Sequence, residues 1–366
     1  MSAPAPRPGI LDISPYVGGE AHAPGVDRLI RLASNEGALG PSPRAMEAYR
    51  NAAAEVHRYP DGQSMALRDG LARLYGLDAS RIVCGTGSDE LLGLLTRAYA
   101  GPGDEVLYSA HGFLMYPISA KSVGATPVAA PEKDLKADVD ALLACVTERT
   151  KVVFIANPNN PTGSFLTTDE MRRLHAGLPE HVVLVIDAAY AEYVDRPDYT
   201  AGAELVEEFG NVVMTRTFSK IYALGGLRLG WAYCPPAIAD VLNRVRGPFN
   251  VNSAAQIAGV AAVEDTDFIE RSRRHNEIWR EWLAARLTGL GLTVYPSIAN
   301  FLLVSFANRA SDGNQAAEAA RQFLKSRGIL VRQMGGYGLP YCLRISIGTE
   351  DEMRAVADAV AAFLKG

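Results

Sequence analysis

Cysteine is scarce in this chain: four in 366 residues, at Cys84, Cys145, Cys234 and Cys342. They lie far apart, no Cys-x-x-Cys or His-Glu-x-x-His spacing occurs, and Cys84 and Cys234 sit in or beside apolar runs. Buried, reduced thiols therefore outweigh a disulfide framework or a zinc site, and no metal is expected. Long apolar runs are missing too. None reaches the length that spans a bilayer, and residues 1–8, rich in Pro and Ala, lack the apolar core of a secretory signal. The expectation is a soluble cytoplasmic protein with no membrane partner. Nor is either charge concentrated in long runs, and the net charge is −5, which argues against nucleic acid or an acidic membrane surface as the main partner. Small molecules fit better.

The chain does have length. At 366 residues it exceeds the size at which a single core stops growing, so a large and a smaller domain are expected. Residues 1–30 read as an arm, because Pro4, Pro6, Pro8, Pro15 and Pro24 block regular helix and Gly18-Gly19 adds freedom. Such arms often pack on a partner subunit. Helical patterns follow at residues 43–56 and 65–75, separated by the turn-forming His57-Arg58-Tyr59-Pro60-Asp61-Gly62.

From residue 81 short apolar runs alternate with helix-period stretches. Residues 82–84, 105–108, 126–128, 151–155, 182–186 and 212–214 read as strands, with helices at about 88–100, 139–146 and 168–176. This alternation predicts an α/β fold with a mainly parallel central sheet covered by helices. Residues 229–234 suggest one further strand, of either direction. Residues 31–255 make the large domain in this reading. Residues 254–290 are strongly helical, and strands at 292–295, 301–305, 329–332 and 342–347 with helices at 314–326 and 350–364 make residues 256–366 a smaller α/β domain.

Ligands of open α/β sheets bind beyond the carboxyl ends of the strands, so the residues just after each strand matter most. After residues 82–84 comes Gly85-Thr86-Gly87-Ser88-Asp89-Glu90 and a helix, which suits backbone N–H groups and a helix dipole to a phosphate. An ordinary N-cap by Ser88 explains the same residues. Asp89 and Glu90 would repel a phosphate if they faced it, so the backbone must do the holding. After residues 151–155 comes Asn157-Pro158-Asn159-Asn160-Pro161-Thr162-Gly163, which aims the amide of Asn157 at a ligand or forms a bare turn. Asp187 ends the next apolar run, ahead of Tyr190, as an anion for a cationic partner in a dry site or as a helix cap. Residues 212–214 lead to Lys220, with Arg228 just beyond Gly225-Gly226. A lone lysine is usually a solvated surface charge. Here an amine, a carboxylate, an amide, a tyrosine, a phosphate cradle and an arginine converge on one predicted edge, and these are the groups that pyridoxal phosphate requires.

Several runs carry a specific resemblance. Ser219-Lys220 with Gly226-Leu227-Arg228-x-Gly230, Asn157-Pro-Asn-Asn-Pro-Thr-Gly and Asp187-x-Ala-Tyr190 resemble the class I/II aminotransferases, which are fold-type I pyridoxal-phosphate-dependent transferases. Ser14-Pro15-Tyr16, Ser34-Asn35-Glu36, Arg58-Tyr59-Pro60-Asp61-Gly62, Gly85-x-Gly-Ser-Asp-Glu and Leu343-Arg344-Ile-Ser-Ile-Gly-Thr349 narrow the resemblance to the histidinol-phosphate aminotransferase family.

The resemblance implies pyridoxal 5'-phosphate as cofactor, with Lys220 forming the imine and then carrying the proton. It implies Asp187 on the ring nitrogen, Asn157 and Tyr190 on the phenolate oxygen, and Phe113 stacked on the ring. Gly87, Ser88, Asp89 through its backbone, Ser219 and Arg228 would hold the phosphate, joined by Tyr59 from the other subunit of a homodimer. Arg344 would bind a substrate carboxylate as a bidentate fork, unless it is a surface arginine at a strand edge. Tyr16, Asn35 and Arg332 are candidates for the substrate's phosphate side, a plain solvated charge being the other reading of Arg332.

The implied reaction is transamination between L-histidinol phosphate and 2-oxoglutarate. An aromatic amino-acid aminotransferase is the alternative, and a phosphothreonine-type decarboxylase or a non-catalytic cofactor-binding protein are remoter ones. Three departures from the family pattern bear on substrate rather than on imine chemistry. They are Gly37-Ala38 where Asn-Pro is usual, Phe113 where Tyr is frequent and Ala188 where Glu is frequent.

Overall fold

The computed structural model describes residues 4–22, 25, 28–308 and 313–365. Pro24 of the expected arm, and the outer ends of the expected domains at residues 1–3 and 366, lie outside the described residues. Strand β1 (Ile30–Leu32) opens the regular structure, followed by helices α1 (Pro43–Ala52) and α2 (Met65–Tyr75). Ser42 caps α1 by accepting from the Ala45 N–H, and Pro43 stands at a first-turn position where its missing N–H costs nothing.

Then come β2 (Ile82–Gly85), α3 (Ser88–Tyr99), β3 (Glu105–Ser109), α4 (Met115–Val123), β4 (Thr126–Ala130) and the short pair β5 (Glu132–Lys133) and β6 (Lys136–Ala137). The chain continues through α5 (Val139–Ala144), β7 (Thr150–Ala156), α6 (Thr168–Ala176), β8 (Val183–Asp187), α7 (Ala203–Glu208), β9 (Val212–Thr217), β10 (Gly230–Tyr233) and α8 (Pro236–Val245). Helix α4 escapes the sequence pattern because Pro117 interrupts it. The ring sits in the first turn, where no intrahelical N–H is lost.

Among the described residues seven strands form the larger sheet, in the order β2-β10-β9-β8-β7-β3-β4. Every neighbouring pair is parallel except the two made by β10, which runs antiparallel to both β2 and β9. That settles the direction of residues 229–234. Strands β8 and β9 are buried along their whole length, so both faces of the sheet are covered, as a parallel sheet requires.

Residues 254–290 are not one helix: α9 (Ser253–Glu264) and α10 (Thr266–Gly289) are separated by Asp265, whose φ −92° and ψ 63° leave the helical region. Beyond them β11 (Thr293–Val294), β12 (Phe301–Ser305), α11 (Gly313–Ser326), β13 (Ile329–Met334), β14 (Leu339–Ser346) and α12 (Glu350–Phe363) complete the fold. The second sheet has the order β1-β13-β14-β12-β11. The amino-terminal β1 thus pairs, in parallel, with β13, and the segment after it runs along the seam between the two sheets. Asn300 fastens that segment by donating to the Asn35 and Glu36 carbonyls at 3.0 and 3.2 Å.

Candidate active site

The functional edge is set by the exceptional strand. Because β10 returns antiparallel beside β9, residues 218–229 between them stay at the carboxyl end of β9, and this loop carries Ser219, Lys220 and Arg228. Gly230, the first residue of β10, stands opposite Thr217 on one side and Gly85 on the other. The lysine loop and the start of α3 are therefore brought together by sheet register alone.

Gly87 is the N-cap of α3, with φ 79°, and Ser88 is its first helical residue. The simple capping role considered for Ser88 is not what forms. The first-turn N–H groups of such a helix have no intrahelical acceptor and face an anion site. Arg228 closes that site: Nη1 donates to Ser219 Oγ at 3.3 Å and Nη2 to Asp89 Oδ2 at 3.2 Å. The approach leaves no room for side chains. A Cβ on Gly87 would lie 2.5 Å from Arg228 Nη2, and one on Gly230 would lie 2.3 Å from the Ser88 nitrogen. Gly230→Ala is accordingly expected to push the start of α3 away, lowering the unfolding free energy by about 1–3 kcal/mol. It should also weaken anion binding there. A thermal melt that is unshifted from the wild type would contradict the close approach.

Asp187 ends β8, is 5 % exposed, and caps no helix. Its Oδ2 accepts from the Tyr116 hydroxyl at 2.9 Å and its Oδ1 from Thr215 Oγ1 at 3.4 Å. Burial pushes its carboxyl up to about 6, against these hydrogen bonds. Tyr190 is buried, accepts at its hydroxyl from Asn35 Nδ2 at 2.9 Å, and titrates well above the usual phenol range because of burial. The Lys220 Nζ lies 5.7 Å from the Tyr190 ring centroid and donates to the Ser34 carbonyl at 3.3 Å. Burial, with the positive charge of Arg344 next, brings its ammonium down to about 8, opposed by Asp89 and Glu36. Lys220 is no solvated surface charge.

One placement corrects the sequence reading. Asn157 does not reach the cavity. Its amide nitrogen donates to the Leu166 and Thr200 carbonyls at 3.1 and 3.3 Å, and its oxygen accepts from the Leu166 N–H at 2.8 Å, so the whole group is spent on the loop. The second amide of the same run, Asn160, lines the cavity instead. Asn35 stays at the cavity: it holds Tyr190, and Ser346 Oγ both accepts from its N–H at 2.8 Å and donates to its Oδ1 at 3.0 Å. Asn35 orients Tyr190 with one N–H of its amide and lines the cavity, so the second N–H stays available to a ligand. Sequence offered no signal to choose between Asn157 and Asn160, each of which precedes a proline.

The remaining candidates meet around a cavity of about 270 Å³, with Lys220, Asp187, Phe113, Arg332 and Arg344 on its walls. Phe113 meets Tyr16 edge to face at 6.2 Å. Tyr16 accepts from Arg332 Nη1 at 3.1 Å, and Arg332 Nη2 donates to the Val17 carbonyl at 2.8 Å, which ties the arm over the opening. Arg344 is no surface residue. It lies on β14 between two neighbours, is 2 % exposed, donates to Asn160 Oδ1 and to the Ala33 carbonyl, and keeps an unpartnered Nε. Among the described residues no carboxylate pairs with Arg344 or with Arg332. Tyr59 stands outside this cavity, 83 % exposed and stacked on Phe249 at 4.8 Å.

A family model, aminotransferase class I and II, matches residues 27–360. The chain belongs to this family. As a class I/II aminotransferase it is 65 % identical over 366 residues to histidinol-phosphate aminotransferase of Rhodospirillum centenum, covering 100 % of each chain. It is 63 % identical to that of Paramagnetospirillum magneticum, over 100 % of this chain and 99 % of the relative. Among solved structures, histidinol-phosphate aminotransferase from Sinorhizobium meliloti in complex with pyridoxal-5'-phosphate superposes with a TM-score of 0.91 at 30 % identity, covering 100 % of this chain and 99 % of the other. The two-sheet architecture is the aminotransferase fold.

Proposed function

We propose that this aminotransferase exchanges an amino group between L-histidinol phosphate and 2-oxoglutarate in histidine biosynthesis, using pyridoxal 5'-phosphate. The observation that carries the substrate reading is the pair of arginines without acid partners in the lysine cavity. A guanidinium as buried as Arg344 is costly unless an anion answers it, and a ligand must supply that anion. Arg332 gives the same cavity a second cation. The phosphate of histidinol phosphate is a dianion with three acceptor oxygens that can answer both guanidiniums, and 2-oxoglutarate brings two carboxylates, whereas an aromatic amino acid has a single monoanionic carboxylate and leaves a cation unanswered. The full-length identity to histidinol-phosphate aminotransferases supports the same choice.

The residues present fit the cofactor. The glycine-lined start of α3 with Ser219 and Arg228 suits its phosphate, and Asp187 is a buried carboxylate whose contacts supply no positive charge, which suits a protonated ring nitrogen. When bound, pyridoxal phosphate supplies an aldehyde that condenses with amines and a ring that accepts the electron pair released on deprotonation. Lys220, its ammonium brought down to about 8, is the amine that both holds the cofactor and moves the proton at the substrate carbon. Tyr190, oriented by Asn35, and Asn160, oriented by Arg344, are the polar groups for the ring's phenolate oxygen. Phe113 covers the ring, Arg344 takes the carboxylate of the oxo acid, Tyr16 with Arg332 takes its distal carboxylate, and the phosphate of histidinol phosphate answers both arginines.

The same reading assigns Tyr59 to the phosphate site of a second copy. Tyr59 and Phe249 are stacked, exposed aromatics, and Val56 and Met65, near Tyr59 in sequence, are 73 % and 60 % exposed, apolar surface that a homodimer would cover. It also places the enzyme in the cytoplasm. Among the described residues no helix is long and apolar enough to cross a membrane.

A half-reaction panel tests the proposal. The purified protein, loaded with cofactor, is titrated with histidinol phosphate, phenylalanine, tyrosine and phosphothreonine while ketone and carbon dioxide are scored. Histidinol phosphate should exceed each aromatic amino acid in kcat/KM by at least about 100-fold, since a site built for a polar group rejects a substrate lacking it by up to about 10⁴- to 10⁵-fold. Equal rates with phenylalanine would refute the substrate assignment, and carbon dioxide from phosphothreonine would refute the reaction.

A further inference from the structure

The proposed mechanism needs Asp187 to remain an anion at the bottom of a dry cavity. Its immediate surroundings work against this. Burial favours the neutral acid, the charge of Asp89 at the start of α3 adds to that tendency, and none of its contacts is a cation. What opposes protonation is hydrogen bonding: Tyr116 from α4, Thr215 from β9 and the Ala189 N–H. Tyr116 makes the shorter of the two side-chain contacts, 2.9 Å against 3.4 Å.

Tyr116 is itself held rigidly. It is 1 % exposed, stacks on Phe154 at 4.7 Å with an interplanar angle of 4°, and meets Phe113 edge to face at 5.9 Å. Its ring therefore has one orientation, and its hydroxyl points at Asp187 Oδ2. Burial and the neighbouring Asp187 charge keep that hydroxyl far above the usual phenol range, so it is always a donor, never a competing anion. The other groups near the carboxylate, the Tyr190 and Tyr199 phenols, also titrate well above that range and stay neutral.

We infer that Tyr116 is a positioning residue for Asp187: it aims the carboxylate and holds it in the anionic form against the cofactor's ring nitrogen. One ring thereby links two of the cofactor's contacts, since the same Tyr116 packs against Phe113. The inference rests on the proposed role of Asp187, and the experiment separates the two.

Cofactor affinity of the full-length protein is measured by equilibrium dialysis from about pH 5 to about pH 9 for the wild type, Tyr116→Phe, Thr215→Val and Asp187→Asn. The anionic carboxylate exists above its own pKa, so wild-type affinity should be lost as pH falls through about 6. Tyr116→Phe keeps the stacking and removes one donor to the anion. Its midpoint should move up by about one unit, so that affinity drops about fivefold near pH 6 and approaches a tenfold drop near about pH 5. Above about pH 8, where the carboxyl is ionised in both proteins, the two should agree within about twofold. The Thr215→Val midpoint should move the same way by less.

A Tyr116→Phe profile that coincides with wild type, or one lowered by the same factor at every pH, would overturn the inference, the latter by showing a packing role only. A larger shift in Thr215→Val than in Tyr116→Phe would overturn it too. Asp187→Asn should bind weakly and lose this part of the pH dependence. If instead it retains the wild-type profile, the proposed role of Asp187 fails, whatever Tyr116→Phe does. The cofactor's own titration is common to all four proteins and cancels in the comparison.

Discussion

Replacing Lys220 by alanine should abolish transamination, a loss of about 10⁴-fold or more, because one side chain serves both as the amine that holds the cofactor and as the carrier of the proton. Cofactor binding should weaken but persist, since Asp187, Ser219 and Arg228 do not depend on the lysine. The absorbance of lysine-bound cofactor should disappear and that of the free aldehyde should replace it. Lys220→Arg separates charge from chemistry. It keeps a cation beside Asp89 and Glu36 yet cannot shed a proton near neutrality, so it should be as inactive as the alanine variant. Appreciable activity in Lys220→Arg, or a lysine-bound spectrum in Lys220→Ala, would end the proposed mechanism. The same residue sets the sign of the pH dependence: its ammonium is lowered to about 8, so the free amine, and with it the capture of added cofactor, increases as pH rises through that value.

Lys220 was legible in the sequence because it lies just after a buried strand, and residues beyond the carboxyl end of a strand in an α/β sheet face the ligand. The same rule located Asp187, Ser88 and Arg228. It gave out where the answer depends on the path of a loop. Asn157 and Asn160 both precede proline in a run of seven residues, and only the bonds of Asn157 to Leu166 and Thr200 show that Asn157 is structural. The bond from Asn35 to the Tyr190 hydroxyl was equally hidden, because it joins residues 155 positions apart. Tyr116 was invisible on two counts. Its helix α4 carries a proline, and its contact with Asp187 joins residues 71 positions apart. Pairing across the fold is equally hidden: the join of β1 to β13, and the antiparallel course of β10 that positions the whole lysine loop, are matters of register between distant strands.

Arg344→Met should lower kcat/KM for 2-oxoglutarate by about 30- to 4000-fold, the range expected when one partner of a buried charge pair, worth about 2–5 kcal/mol, is removed. Two further measurements distinguish a substrate arginine from a structural one. Among the described residues Arg344 has no acid partner, and burial pulls its own pKa down, so in the ligand-free protein its charge is a liability rather than a support. An apolar side chain of similar length should therefore leave the melting temperature unchanged or raise it, although the bond to the Ala33 carbonyl is lost. A structural ion pair would give the opposite sign. Affinity for pyridoxal phosphate should fall much less, by under about tenfold, because Arg344 reaches the cofactor only through its bond to Asn160, whereas the phosphate site at α3 and the Asp187 contact lie on the larger sheet. Equal loss of cofactor and oxo-acid binding would mean that Arg344 supports the cofactor through Asn160, and the carboxylate would then belong to Arg332. Arg344→Lys completes the series. It restores a charge without the planar fork, so it should recover only part of the lost activity, and full recovery would rule out bidentate binding.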